Sequence, residues 1–286
     1  MDVRVCSRES QRRGKKKAFG GQHIPMLKNI LKRAFPNLYR SLSMRFGHPA
    51  RHIRVAKAIL EKYGQKVNEG PFTGMVYCST AAGSAYTPKI LGTYELEIRS
   101  WIEEVIEDDY STIIDLGCAE GYYAVGLAMR CPNATVYAFD GDPEARAACQ
   151  ELATLNGVED RVKIGGYCEP EILKGLPLDK AMLICDVEGY EVKLLDPASI
   201  PVLATIEIIV ELHEQLAPGS TALILGRFAP THEVTLQDAL ARDPKMHPRV
   251  QFLSPAEQEL ALTESRAPGQ QFARFKLRRP TASVHQ

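Results

Sequence analysis

The sequence has no apolar run long enough to cross a membrane. Its longest stretches, such as Ile206–Val210, fall far short of the roughly 18–20 residues that a spanning helix needs. No apolar segment follows the basic run Arg12–Lys17, so a signal peptide is not expected. No CxxC pair occurs among the seven cysteines (6, 78, 118, 131, 149, 168 and 185), and their odd number gives no disulfide framework or zinc site. Most sit in apolar stretches, which fits buried, reduced thiols and a cytoplasmic protein. There is also no net charge, with 35 Lys and Arg against 35 Asp and Glu. That balance hides an asymmetry. Residues 1–54 carry 14 Lys and Arg against Asp2 and Glu9, which leaves an acidic body behind a basic head.

The composition is that of an ordinary globular chain, 45% hydrophobic and 24% charged, able to bury a core without staples. Residues 1–23 are basic and rich in Gly, Ser and Gln, and are expected to be disordered. Met26–Phe35 and Arg51–Tyr63 have helical spacing, and Gly70–Gly92 reads as a loop. A helix is expected from Tyr94 to about Ile106. Thereafter short β-rich runs (Thr112–Leu116, Thr135–Phe139, Arg161–Ile164, Ala181–Cys185, Ile206–Leu212) alternate with helical stretches such as Gly121–Arg130 and Pro143–Leu155. Such alternation predicts parallel βαβ units in a sheet covered on both faces. His232–Leu236 and Gln271–Lys276 complete the strand candidates.

The most informative stretch is Ile113-Ile114-Asp115-Leu116-Gly117-Cys118-Ala119-Glu120-Gly121. A buried strand ends in an acidic residue, and glycines then turn the chain into a helix, the arrangement that binds nucleotide-like ligands in doubly wound sheets. Gly117 lets backbone approach a ligand, and Gly121 admits close helix–strand contact. Asp140, ending the next strand, can accept both hydroxyls of a ribose. A dinucleotide site wants G-x-G-x-x-G, where pyrophosphate meets bare helix-terminal amides. Here the pattern is D-x-G-x-x-x-G, and Asp115 and Glu120 add negative charge. That repels pyrophosphate and suits the ammonium and sulfonium of S-adenosyl-L-methionine (AdoMet), so an NAD-dependent reductase is the weakest alternative.

This turn, with Val136-Tyr137-Ala138-Phe139-Asp140-Gly141-Asp142-Pro143, resembles class I AdoMet-dependent methyltransferases. More narrowly, Cys185-Asp186-Val187-Glu188-Gly189-Tyr190-Glu191-Val192-Lys193-Leu194-Leu195 resembles the D-x-E-G-x-E-x-x-x-L signature of the FkbM-like methyltransferases. Gly92-Thr93-Tyr94-Glu95 and Glu211-Leu212-His213 also suit that family, and the resemblance spans about residues 90–215. Cys118-Ala119 stands where the family usually has Ala-Asn, Glu120 where it is commonly apolar, and Asp140 where it often has Glu.

The resemblance implies an α/β fold: a Rossmann-like, doubly wound, mostly parallel seven-stranded sheet behind an N-terminal helical segment. The expected organisation is a basic tail over 1–23, a helical segment and loop over 24–90, and a methyltransferase domain over 91–286. Tyr94, Glu95, Asp115, Gly117, Cys118, Gly121, Asp140, Gly141, Asp142, Gly166 and Asp186 are the expected cofactor residues. Asp186, Glu188 and His213 are the candidate catalytic groups, one of them taking a proton from the acceptor. Glu191 is as readily a helix-start residue as a functional one. Asp186, Glu211 and His213 could surround Mg²⁺, but no spacing demands a metal and none is assigned. Thr231-His232 and Glu264-Ser265-Arg266 are polar clusters that suit either an acceptor or solvated surface.

The implied reaction is O-methylation of a hydroxyl on a sugar or specialised metabolite. N-methylation of RNA or a peptide is the alternative, and a non-catalytic interaction module is a third reading. The basic head could track phosphates, but it lacks aromatic interleaving, and nucleic acid is not the favoured partner. A homodimer is left open.

Overall fold

The computed structural model describes residues 49–78 and 85–278, so the basic tail and the helix expected over Met26–Phe35 lie outside the described residues. The strands are β1 (Thr112–Leu116), β2 (Thr135–Phe139), β3 (Val162–Gly165), β4 (Ala181–Cys185), β5 (Glu207–Leu212), β6 (His232–Asp238) and β7 (Gln271–Leu277). They form one seven-stranded sheet in the order β3-β2-β1-β4-β5-β7-β6. β1 to β5 are mutually parallel, and β7 runs antiparallel to both β5 and β6. The sheet is the Rossmann-like, doubly wound, mostly parallel one that the alternation of elements and the resemblance implied.

Burial along each strand follows from its place. Every residue of β1 and of β4 is buried, because these strands are central and helices cover both faces. β6, at the edge, buries only His232 fully. Alternating side chains divide the core in two. On one face Ile113, Val136, Ala138, Met182 and Ile209 meet Ala124, Val125, Cys149 and Leu152 from the helices Tyr122–Arg130 and Pro143–Leu155. On the other, Ile114, Leu116, Leu183 and Val210 meet Leu194, Ile224 and Phe228. The second of those helices begins as its sequence dictates: Asp142 Oδ1 accepts from Glu144 N at 2.9 Å, and Pro143 occupies the first turn.

Two segments differ from the sequence reading. Within the stretch read as a loop, Tyr86–Leu91 is a helix closed by Gly92 at φ 79°. A Cβ on Gly92 would meet the Glu69 carbonyl oxygen at 2.0 Å, so only glycine ends this helix here. Six residues with Pro88 inside are too short for periodicity to show. The helix expected from Tyr94 begins only at Arg99, after a 3₁₀ turn over Leu96–Ile98. The interruption is Glu95, left-handed at φ 48°, and it turns that side chain inward.

Residues ahead of Tyr94 share the core of the sheet. Val55 and Ile59 of the helix Pro49–Tyr63, with Val67, Phe72, Met75 and Tyr77, belong to the same apolar cluster as Ile113. Phe72 packs so closely on Gly126 that a Cβ there would lie 2.5 Å from its ring. Among the described residues no helix is long and apolar enough to cross a membrane, and the six described cysteines are free and buried.

Candidate active site

The order of strands reverses beside β1, with β2 and β3 on one side and β4 and β5 on the other. Such a reversal opens a crevice beyond the carboxyl ends of the strands. Asp115 lies near the end of β1, and Asp140 and Asp186 directly follow β2 and β4. Glu211 lies near the end of β5, and His213 directly follows it.

The turn after β1 is tied to its neighbours by backbone. Gly117 N and Cys118 N both donate to the Phe139 carbonyl, at 2.8 and 3.0 Å, and Asp186 N donates to Leu116 O at 2.8 Å. Gly117 sits at φ 83°, and a Cβ on it would lie 1.7 Å from the Asp186 carbonyl oxygen. The glycine is therefore required by the end of β4, a different reason from the ligand approach read in the sequence. Gly121, at φ 94°, would place a Cβ 2.7 Å from Cys149 Sγ. The close contact it permits is between helices, where the sequence reading had helix against strand.

Asp140 is fixed to the same turn. Ala119 N donates to its Oδ2 at 2.9 Å and Asp142 N to its Oδ1 at 2.8 Å. Each oxygen retains acceptor capacity, which suits a diol. Gly141 is exposed, with the Tyr167 ring 3.4 Å from where its Cβ would be. Asp142 is occupied as a helix cap, Gly166 is exposed, and Cys118 is buried in the turn.

Asp115 is 3% exposed, and its Oδ2 has no hydrogen-bond partner. Burial, with the charge of Asp140 added, pushes its carboxyl up to about 7 against a backbone hydrogen bond from Ala124. A cation arriving at Oδ2 would relieve that cost. Glu120 is used differently from the sequence reading. It is wholly buried, 2.6 Å from both Lys89 Nζ and Tyr77 Oη. Its charge is thus matched inside the protein by a lysine from the helix that had read as loop.

A second cluster lies at the ends of β4 and β5. His213 Nδ1 is 2.6 Å from Glu191 Oε1, and its Nε2 faces Asp186 Oδ1 at 3.5 Å and Glu211 Oε1 at 3.9 Å. Burial pulls the imidazolium down, but the hydrogen bond to Glu191 and the charges of Asp186, Glu211 and Glu191 outweigh it, holding the ring at about 9. Burial raises Asp186 to about 7, with His213 opposing and Glu95 and Glu188 adding to the rise. Its side chain is 39% exposed although Oδ1 is covered, so water reaches the other part of the carboxylate and softens that effect. Glu211 rises to about 8, through burial and the neighbouring Asp186. Glu188 lies exposed at the rim with φ 51°, a strained value for a side chain of its kind.

Arg266 joins the cluster to Glu95. Its Nη2 donates to Glu95 Oε1 at 2.6 Å, its Nε to Glu264 Oε2 at 3.0 Å, and its Nη1 to Glu211. Arg242 grips Glu97 with both terminal nitrogens, at 2.6 and 2.7 Å, and reaches Glu264 at 2.7 Å. Tyr123 Oη donates to Glu95. Tyr94 lies half-buried with two cations near its ring, Lys89 Nζ at 4.7 Å and Arg266 Cζ at 5.6 Å from the ring centre.

Tyr94, Glu95, Asp115, Gly117, Cys118, Gly121, Asp140 and Asp186 thus gather along one edge, with His213 beside them, while Gly166 and Glu188 stand at its exposed margin. Lys89, Tyr123, Arg242 and Arg266 were not singled out as site residues from the sequence. For Arg266 a signal existed in the cluster Glu264-Ser265-Arg266, which the structure places against Glu95 and Glu211 instead of in solvent. The other cluster, Thr231-His232, lies at the start of β6. His232 is buried there, with Nε2 2.9 Å from the Ile206 carbonyl and Nδ1 2.8 Å from Thr231 Oγ1, away from the crevice.

No protein-family model matches the chain. Curated relatives include ribosomal protein L11 methyltransferases. That of Brucella abortus (strain S19) is 25% identical over 175 residues, which are 60% of this chain and 54% of the relative. That of Vibrio cholerae serotype O1 is 31% identical over 86 residues, 30% of this chain and 28% of the relative. The chain thus spans about half the length, or less, of these curated relatives. Among solved structures, the O-methyltransferase from Bacillus cereus in complex with SAH is similar at 9% identity and a TM-score of 0.43, covering 87% of this chain and 96% of that one.

Proposed function

We propose that the chain is an AdoMet-dependent methyltransferase whose acceptor is a hydroxyl on a small molecule such as a sugar or specialised metabolite. The observation that carries this reading is the buried Asp115 carboxylate, with an oxygen lacking any partner, beside Asp140 at the reversal of strand order. A buried acceptor without a donor costs about 1–3 kcal/mol. A ligand presenting an ammonium or sulfonium to Asp115 and a diol to Asp140 offsets that cost. The residues present therefore fit AdoMet. Membership of the FkbM-like methyltransferases, suggested by the resemblance of Cys185–Leu195, belongs to the same proposal, as does a cytoplasmic setting for its free thiols.

When bound, AdoMet supplies a methyl group activated by its sulfonium. Asp140 would hold the ribose, fixed by Ala119 N and Asp142 N, and Asp115 the amino acid end. Tyr94, with Lys89 and Arg266 near its ring, would wall the site and exclude water. Asp186 would take the acceptor's proton, at the part of its carboxylate that solvent reaches. With no other cation beside it, His213 is held near 9 by the surrounding carboxylates and would act as an electrostatic partner to Asp186.

A second reading has a specific observation behind it. Glu188 is exposed beside the crevice and solvent reaches part of the Asp186 carboxylate, and an amine-bearing peptide would complement both. The curated relatives, named as ribosomal protein methyltransferases, point the same way.

Calorimetric titration of AdoMet and S-adenosylhomocysteine into the intact protein and the Asp140→Ala variant tests the cofactor reading. Saturable binding that the variant loses supports it. No binding by the intact protein overturns it in favour of a non-catalytic module. Labelled methyl transfer to hydroxylated small molecules, against basic peptides and RNA, then separates the acceptors.

A further inference from the structure

We propose that Asp186, Glu211 and His213 form a binding site for one divalent metal cation. One ligand atom from each lies within 4.8 Å of the other two, at the adjacent ends of β4 and β5. Glu191 selects the ring nitrogen that faces the cluster. It engages His213 Nδ1 at 2.6 Å, so in the neutral ring Nδ1 carries the proton and Nε2 presents a lone pair. Histidines that ligate metals are oriented in this way, the far nitrogen donating to a carboxylate.

The arrangement on the Nε2 side is poor for the protein alone. Asp186 Oδ1 is covered and without a hydrogen bond, at 3.5 Å from Nε2, too far to count as one. Glu191 is fully buried, and its Oε2 also has no partner. Three electron-pair donors therefore converge beside uncompensated buried carboxylate oxygens, and a positive charge is needed among them. Arg266 supplies part of it, at the same Glu211 Oε1 that faces His213 Nε2. A proton on His213 is one way to supply the rest, and a metal ion that displaces this proton is the other. Two carboxylates and one imidazole suit a cation that takes mixed oxygen and nitrogen ligands, of the Mn²⁺ kind.

Such a cation would bridge the ends of β4 and β5 through Asp186 Oδ1 and leave the solvent-facing part of that carboxylate to an acceptor. A hydroxyl drawn to it would lose its proton more readily. The inference does not rest on the methyl-transfer reading, since metal and AdoMet binding are measured separately.

The test is titration of Mn²⁺ into the chelator-treated full chain, followed by electron paramagnetic resonance. One bound Mn²⁺ per chain is expected. Loss of binding is expected in Asp186→Asn, and affinity about 10–100-fold lower in Glu191→Gln, with the fold checked by circular dichroism. Should the variants unfold, the intact chain still decides, because Co²⁺ bound by mixed nitrogen and oxygen ligands gives visible absorption bands that Mn²⁺ competes away. Absence of bound Mn²⁺ in the intact chain overturns the proposal and leaves the His213 proton as the cation. Undiminished affinity in a folded Asp186→Asn variant overturns it as well, by placing the ion elsewhere.

Discussion

Replacing Asp115 by Asn should make the ligand-free protein more stable and its AdoMet binding weaker. The carboxyl of Asp115 is buried beside Asp140, and its pKa rises from 3.8 to about 7 on folding. A raised carboxyl pKa means that the folded state holds the proton more tightly than the unfolded chain. Its contribution to stability is therefore full below pH 3.8 and is lost progressively as pH rises to about 7. That rise corresponds to on the order of 4 kcal/mol. Asn keeps the shape and an acceptor for the Ala124 amide but never ionises. The difference in unfolding free energy between variant and wild type should grow across this window and level off above it. At pH 8 it should reach a few kcal/mol, or a Tm gain of about 5–10 °C. Denaturant melts of both proteins at pH 4, 6 and 8, without ligand, measure it. Loss of a charged hydrogen bond worth about 1.5–3 kcal/mol should weaken AdoMet by at least ~10-fold in calorimetry. A variant less stable than wild type at pH 8 would refute the claim that burial strains this carboxylate. A stabilised variant with unchanged AdoMet affinity would refute its role in holding the ligand.

Gly117→Ala should destabilise by about 3 kcal/mol or more, because the new methyl overlaps the Asp186 carbonyl, whereas Gly166→Ala, with nothing within 4 Å, should stay within about 0.5 kcal/mol in the same melts. Arg266→Ala leaves Glu95, Glu211 and Glu264 without their shared cation and should cost about 3–5 kcal/mol. Arg266→Lys, which cannot span three carboxylates, should recover only part of that loss in chemical denaturation. Lys89→Met should cost about 3–5 kcal/mol by stranding Glu120, and the Lys89→Met, Glu120→Leu double variant should regain most of it. A double variant no more stable than the single one would show that the pair does not act through charge.

The sequence by itself determined the elements whose pattern is local. Thr112–Leu116 and Ala181–Cys185 are mostly apolar because both of their faces are covered, and they were legible as buried strands without neighbours in view. Asp115, Gly117, Gly121 and Asp140 were legible because the turn and the following strand end lie within a short span of chain. The reasons for the glycines were not, since the atoms they make room for belong to Asp186 and Cys149, far along the sequence.

Charge pairing was the part that only the tertiary structure decided. Glu120 is adjacent to the turn and looked like a cofactor carboxylate, yet Lys89, 31 residues earlier, takes it up. Glu95 points inward because one left-handed residue breaks a helix that periodicity would have carried through. Arg266 follows the last strand but one, and meets Glu95 across 171 residues of chain. His213 read as a candidate base from its strand end, and the three carboxylates around it came into view only in the structure. Local pattern reports whether a residue is buried and how the backbone turns. Which ion faces which depends on how distant strand ends and loops converge, and no spacing along the chain encodes that.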